Sequence, residues 1–459
     1  MAKNFAKIML LVLALALALG GCNLIEVDAR MQADEDIAKI KKNNEDLVAA
    51  YTGGTLTVAD VLGEFSSAYN QTAYTYSYFG MEMSEDEVTS LALETLENHV
   101  KYVVAAAKFD EDNTLSDEEL EQVATDAQSQ YDSNLESALE SATGDTDEEK
   151  NINAEVMLYE VGLDYDSTYN SELLSAKYDK EVELLQDEIT EVSDEDLQAA
   201  YDAQVAEDQE NYTDGSSFES AMTEEDTIVC WQPDGYRTVK HILVIPSDDI
   251  MTAYTDAVSA LESANTQLDD LNTELEGLTG ESEDERTADE VQADIDDVTA
   301  SIPELEAAVE TAANACLDDV KDKTDDIYAR LEAGEDFESL IEEYGEDPGM
   351  QNEPTKTRGY YVSDASTNWE ANFRDAAMAL ENIGDYTLTP VVSGSGVHII
   401  RYESDVQGGE VGLDQVHDAL YDKTLGSQKE THATDTIDAW VAELNPVYDA
   451  NTLLTAVSE

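Results

Sequence analysis

Hydrophobic positions along the chain follow two different periods, and the change of period marks its organisation. From about residue 55 to 228 apolar residues recur at helical spacing, as in Val88, Leu91, Leu93, Leu96 and Val100. That spacing lines up one apolar face of an amphipathic helix. Polar start signals punctuate the stretch: Ser116-Asp-Glu-Glu119 ahead of Leu120 has the form of a capping box, and Ser193-Asp-Glu-Asp196 ahead of Leu197 is a weaker version. Asp110 and Asp112 with Glu121 faintly suggest a calcium loop, but Leu115 stands where its tight turn needs glycine, so a helix N-terminus is the better account.

At Tyr236 the texture changes. Tyr236–Ile245 is rich in β-branched and apolar residues and lies between Gly235 and Pro246, which predicts a buried strand; Gly396–Tyr402 is a second such run. Between them the pattern predicts helices over 325–333, near 337–344 and over 369–380, with a turn at Gly334 and a loop over 345–362.

Residues 248–322 interrupt this unit with a heptad pattern. Tyr254, Leu261, Leu268 and Leu275 fill one seam position, and Ala257, Ala264, Leu271 and Leu278 the other. After a polar turn over 279–289 the pattern resumes through Val291, Ile295, Val298, Ile302, Leu305, Val309, Ala312 and Cys316. Alternating steps of three and four predict an antiparallel coiled-coil hairpin with a solvated, charged outer face. Pro303 lacks an amide hydrogen, so a kink or restart is expected there, with Ser301 as the cap.

The N-terminal segment reads as an address. Lys3 and Lys7 precede the apolar run Ile8–Leu19, which is too short to span a bilayer and ends in Leu19-Gly20-Gly21-Cys22. This resembles the lipobox of bacterial lipoproteins. The resemblance implies cleavage before Cys22, lipidation of its thiol, and a lipid-anchored place on the extracytoplasmic face of the bacterial cell membrane.

Composition narrows the partners. The chain has 459 residues with 23 Lys and Arg against 105 Asp and Glu, a formal net charge of −82. Binding a polyanion needs basic patches, so nucleic acid is excluded as a main partner. Hydrophobic residues make up 42% of the chain, which argues against disorder throughout, and only 7 prolines point to a mostly helical chain. Cys230 and Cys316, the remaining cysteines, read as buried free thiols, with a disulfide between them as the alternative that export would permit. No CxxC or His/Cys spacing suggests a metal site, and His99, His241, His398, His417 and His432 are scattered.

The chemistry resides in five segments. Lys240-His241-Ile-Leu-Val244, Arg330-Leu-Glu-Ala-Gly-Glu-Asp-Phe337, Tyr344-Gly-Glu-Asp-Pro348, Asn372-Phe-Arg-Asp-Ala-Ala377 and Thr389-Pro-Val-Val-Ser-Gly-Ser-Gly-Val-His-Ile-Ile400 follow one another in the order seen in parvulin-type (rotamase) peptidyl-prolyl isomerase domains. With the lipobox and helical flanks, the chain resembles the PrsA-type extracellular foldase lipoproteins, and it is similar to the SurA-type chaperones in carrying helices on both sides of the parvulin unit. The resemblance implies that His241 and His398 are paired histidines on adjacent strands and that Asp347 faces the substrate carbonyl. It makes Phe373 the aromatic floor of a proline pocket, with Trp369 in place of the family's usual Met. Ser393 and Ser395 match hydroxyls that bond the histidine pair. The sequence departs from the family in the loop 349–361, which lacks the usual Gly-rich run, and at Arg358, which stands where an apolar pocket residue is expected. Taken singly, His241 would be a core histidine and Asp347 a turn residue before Pro348. A protease triad of Cys230, His241 and Asp347 lacks any accompanying oxyanion-hole signature.

The expected fold is α+β and multidomain. A signal peptide (1–21) and a lipidated tether with a first helix (22–50) precede a helical N-terminal domain (51–233). A parvulin-type domain with a small antiparallel sheet follows (234–405, interrupted by the hairpin at 248–322), and C-terminal helices (406–459) pack back on the N-terminal domain. The expected function is a membrane-anchored peptidyl-prolyl isomerase and foldase. It would act on unfolded or nascent exported polypeptides with X–Pro bonds, with no cofactor and no metal. The alternative is a non-catalytic holdase that uses the parvulin domain as a peptide platform. A third reading is an acidic scaffold that oligomerises, as a homodimer for instance, through the hairpin.

Overall fold

The computed structural model describes residues 29–213, 215–278 and 286–458. The expected lipobox with Cys22 and most of the expected turn 279–289 lie outside them. Along the chain come α1 (Ala29–Asn43), β1 (Leu47–Tyr51), β2 (Gly54–Thr57), α2 (Val58–Tyr78), α3 (Glu85–Asp112), α4 (Asp117–Ser141), α5 (Asp147–Glu160) and α6 (Tyr165–Asp187). Then follow α7 (Asp194–Asn211), α8 (Gly215–Ala221), β3 (Trp231–Gln232), β4 (Arg237–Val244), α9 (Asp248–Gly277), α10 (Ala288–Asp319), α11 (Lys321–Glu332) and α12 (Phe337–Tyr344). A 3-10 turn (Pro348–Gln351), α13 (Thr355–Arg358), β5 (Tyr360–Val362), α14 (Ala371–Met378), β6 (Val391–Ser393), β7 (Gly396–Asp405) and β8 (Gly409–Glu410) lead to α15 (Leu413–Glu443), β9 (Val447–Tyr448) and α16 (Ala450–Ser458). The protein is mostly helical, with small antiparallel sheets, as the periodicity predicts.

Contacts group the chain into two compact units, one running to Glu191 and joined by Leu425–Glu459, the other Val192–Thr424. These divisions fall elsewhere than the sequence-based boundaries at 233 and 405. In the first unit, helices start on reciprocal caps that satisfy otherwise orphaned amides: Ser84 with Glu87, Ser116 with Glu119 and Thr146 with Glu149. Its core gathers Val61, Phe65, Leu96 and Val100 from α2 and α3 with Ile437 of α15 and Leu453 of α16. Leu93, expected on the apolar face of α3, is instead exposed, because it sits off the stripe formed by Val88, Ala92, Leu96 and Val100. The sheet order β2-β1-β9 pairs Ala49 and Ala50 with Tyr448 and Val447, tying the end of the chain to its beginning.

The second unit is built on an antiparallel sheet of order β5-β4-β7-β6. Alternation gives it two buried faces. Ile242, Val244, Val397 and Ile399 face a core with Ile327 of α11, Phe337 and Leu340 of α12, and Tyr254 and Cys316 at the base of the hairpin. Val239 and Ile400 face Phe373 and Ala377 of α14.

The hairpin helices α9 and α10 pack antiparallel, with Leu268, Leu271 and Leu275 against Val291, Ile295 and Val298. At the base the Ser247 amide donates to the Asp319 carboxylate at 2.8 Å. The expected restart at Pro303 is not found: α10 runs through it, and Ser301 donates its hydroxyl back to the Val298 carbonyl rather than capping a new helix. Proline removes one backbone bond there, and packed seam residues flank it, Val291, Ile295 and Val298 before and Val309 and Ala312 after. Cys230 and Cys316 are both buried and free; burial pushes the Cys230 thiol up to about 11. Among the described residues, no helix is long and apolar enough to cross a membrane.

Candidate functional site

Strand register assembles the site. β4 and β7 pair with His241 opposite Ile400 and Leu243 opposite His398, so both histidines project from the same face, one diagonal step apart. His241 Nδ1 lies 2.8 Å from His398 Nδ1. The outer nitrogens are engaged as well. His241 Nε2 is 2.7 Å from Asp347 Oδ2, and His398 Nε2 is 2.7 Å from Ser393 Oγ.

One proton arrangement satisfies every link with both rings neutral. The Ser393 hydroxyl donates to His398 Nε2, His398 Nδ1–H donates to His241 Nδ1, and His241 Nε2–H donates to an ionised Asp347. These tautomers follow from the network. Burial pushes His398 down to about 3 against a smaller pull from the Asp347 charge, so its neutral form dominates. Burial also works against the Asp347 carboxylate. The hydrogen bond from His241, the Gly349 amide and the Tyr360 hydroxyl together outweigh it and hold the carboxyl below its usual range.

Local structure places each partner. Asp347 caps the 3-10 turn: its Oδ1 accepts from the Gly349 amide at 2.9 Å, leaving Oδ2 for His241 and for the Tyr360 hydroxyl at 3.0 Å. Ser393 ends β6 at a tight turn into β7, and the Ser395 amide donates to Ser393 Oγ at 3.1 Å. Ser395 thus reaches the network through its backbone. Gly396 closes the turn at φ 140°, where a Cβ would lie 2.8 Å from the Leu243 side chain and 3.0 Å from the Val244 carbonyl.

Four aromatic contacts form the wall. Phe373 stands edge-on to His241 and His398, with ring centroids 5.4 and 5.1 Å away. Trp369 stacks on Phe373 at 5.0 Å and 25°, and Tyr360 lies 4.8 Å from Trp369. The indole N–H donates to the Tyr361 carbonyl at 2.9 Å, which fixes the ring over Phe373. Phe373 is only 3% exposed, as is His241, while His398 is 4% exposed. The aromatic cup is therefore covered by Trp369 in this conformation.

All seven residues singled out in the second unit, His241, Asp347, Trp369, Phe373, Ser393, Ser395 and His398, fall within this cluster. Tyr360 lies in the segment 345–362, where the sequence pattern predicts a loop, and is a member of the site that the pattern does not single out. The run Tyr360-Tyr361-Val362 after Gly359 carries the signal of a short strand, β5, which pairs with β4. Arg237 is not singled out either. Its Nη1 donates to the Ala377 and Leu380 carbonyls at 3.1 and 2.7 Å, anchoring the end of α14, which carries Phe373. Arg358, expected near the pocket, is half-buried at the end of α13.

The PPIC-type PPIase (rotamase) domain family matches residues 305–404, a range holding Asp347, Trp369, Phe373, Ser393, Ser395 and His398. The chain carries a PPIC-type rotamase domain. The match begins inside α10, and β4 with His241 lies outside it, on the far side of the hairpin. Among solved structures, the chain is similar to the peptidylprolyl isomerase PrsA from Bacillus anthracis, at 14% identity over 76% of this chain and 97% of that one, with a TM-score of 0.17. It is similar to a SurA-like chaperone of Campylobacter jejuni at 18% identity over 72% and 94%, with a TM-score of 0.21. The foldase PrsA from Streptococcus pneumoniae is 14% identical over 79% and 88%, with a TM-score of 0.21. No curated protein matches the chain.

Proposed function

We propose that the rotamase domain catalyses cis–trans exchange of X–Pro bonds in unfolded exported polypeptides, and that the chain acts as a foldase held at the membrane by a lipid on Cys22. The observation that carries this reading is the closed ladder Asp347–His241–His398–Ser393 beneath Phe373. Amide resonance sets a barrier of about 18–20 kcal/mol to rotation. No bond is made or broken, so catalysis consists in binding the twisted amide better than the planar one.

The roles then follow. Phe373 supports the pyrrolidine ring. Resonance in the planar amide places negative charge on the carbonyl oxygen. An anionic Asp347 facing that oxygen penalises the planar form, and the apolar surroundings disfavour its larger dipole. The histidine pair keeps Asp347 in place and ionised, and both rings act as positioning residues. Trp369 leaves Phe373 when the proline ring enters. The first unit holds the client chain, and residues 1–21 are removed on export.

A protease-coupled peptide assay with the full chain tests the enzyme reading. Acceleration of X–Pro exchange is expected for at least one residue X, and its absence across all of them would count against catalysis. The covered cup favours a second reading, in which the domain is an idle peptide platform and the protein a holdase. It predicts that suppression of client aggregation survives the double substitution Asp347→Ala with Phe373→Ala. Loss of the refolding effect in that variant excludes the idle platform.

A further inference from the structure

The joint between α2 and α3, in the first unit and in none of the machinery above, exposes large apolar side chains to solvent. Tyr74 is 74% exposed, Tyr78 78%, Phe79 66% and Met81 53%. Tyr74 and Tyr78 are one helical turn apart on the same face of α2. Tyr78 and Phe79 meet edge to face with centroids 5.4 Å apart, and Gly80, at φ 70°, turns the chain toward α3. Such a cluster on an otherwise polar surface marks an interaction site. Its surroundings say what kind. From Asn43 to Val100 there is no Lys or Arg, and Glu82, Glu85 and Asp86 follow the aromatic cluster directly. These three acids are exposed.

We infer that this tip is a docking surface for an extended polypeptide segment that combines cationic and apolar side chains. Lysine or arginine can lie over the Tyr and Phe faces while pairing with the carboxylates, and apolar residues cover Phe79 and Met81. A second copy of this chain would bring the same acids face to face, and an anionic membrane would be repelled. The inference extends the reading of the first unit as the holder of client chains and names the chemistry of the client.

The test uses the full chain and a short fluorescein-labelled peptide of Lys, Phe, Gly and Ser, with two controls in which Glu replaces Lys or Ser replaces Phe. Fluorescence anisotropy is expected to show binding of the first peptide that weakens with salt, and binding of each control weaker by about tenfold or more. Tyr74→Ser combined with Tyr78→Ser and Phe79→Ser is expected to lower affinity for the first peptide by a similar factor. Glu82→Lys with Asp86→Lys, which leaves the aromatic residues in place, is expected to lower it as well. Equal affinity for the Lys and Glu peptides overturns the inference, as does unchanged binding in both variants. Self-association of the wild type that the triple variant abolishes would make a second copy the occupant and also overturn it. Both variants are expected to keep wild-type isomerase activity. A wild type without such activity speaks against the enzyme reading, and peptide binding still decides the tip.

Discussion

His241 and His398 lie 157 positions apart in the chain, yet their Nδ1 atoms are 2.8 Å apart, and neither ring has a nitrogen left unengaged. Removing either ring would strand buried polar groups of the other. His398→Ala is expected to cost about 3 kcal/mol, from a cavity and an unmatched His241 nitrogen. Urea denaturation of the second unit's transition measures it. A loss below about 1 kcal/mol would show that the ladder contributes little to stability.

The ladder also predicts a pH dependence. His398 is pushed down to about 3 in the folded state, against about 6.5 when unfolded. Between these values the unfolded chain binds the extra proton, so stability rises with pH through this window and falls as pH drops from 6.5 toward 3. The Asp347 carboxyl, held below its usual range, acts in the same direction at lower pH: its contribution is present above the unfolded value and is lost as pH falls through the folded one. Denaturation midpoints measured from pH 7 to 4 are expected to decline, and His398→Asn is expected to flatten that decline. A wild-type profile flat over this range contradicts a neutral, buried His398.

Trp369 covers Phe373, so shortening it should open the cup. Trp369→Met is expected to raise kcat/KM for X–Pro peptides by several-fold, at a stability loss of about 1–2 kcal/mol from lost aromatic packing. A lower kcat/KM with unchanged folding would mean that the indole itself grips the proline ring.

Arg237 holds the C-terminal end of α14 from β4, with its guanidinium 4.1 Å from the Tyr402 ring. Arg237→Ala is expected to raise KM more than it lowers kcat, because Phe373 loses its fixed position. Arg237→Lys is expected to restore only part of the loss, since one ammonium lacks the planar fork. Equal changes in both parameters would count against a positioning role.

Pro303 sits inside α10. Pro303→Ala restores a backbone donor and is expected to slow hydrogen exchange along α9 and α10, with a stability gain of up to about 3 kcal/mol. Unchanged exchange would mean that the seam already compensates for the proline.

Much of this architecture is legible in the sequence alone. Helical spacing through Val88, Leu96 and Val100 and the Ser116 capping box pointed to the helices now seen as α3 and α4, because those signals are local and a helix satisfies its own backbone. The heptads placed the hairpin for the same reason. The two β-rich apolar runs placed β4 and β7, and the resemblance to parvulin domains marked His241 and His398 as a pair. The short strands escaped. β1, β2 and β9 are a few residues each, and the last joins the first two from the far end of the chain, so no local pattern announces the pairing.

By itself, then, the sequence marked helical segments, the hairpin and the main strands, features written in short-range periodicity, while its resemblance to parvulin domains singled out seven residues that the fold brings together. Only the tertiary structure decided that Tyr360 shares Asp347 with His241, that Ser395 contributes an amide, that Arg237 ties down the helix bearing Phe373, and that Trp369 lies across the cup. Each of these depends on the direction of a side chain set by packing between segments far apart in the chain, and one-dimensional spacing does not carry that direction.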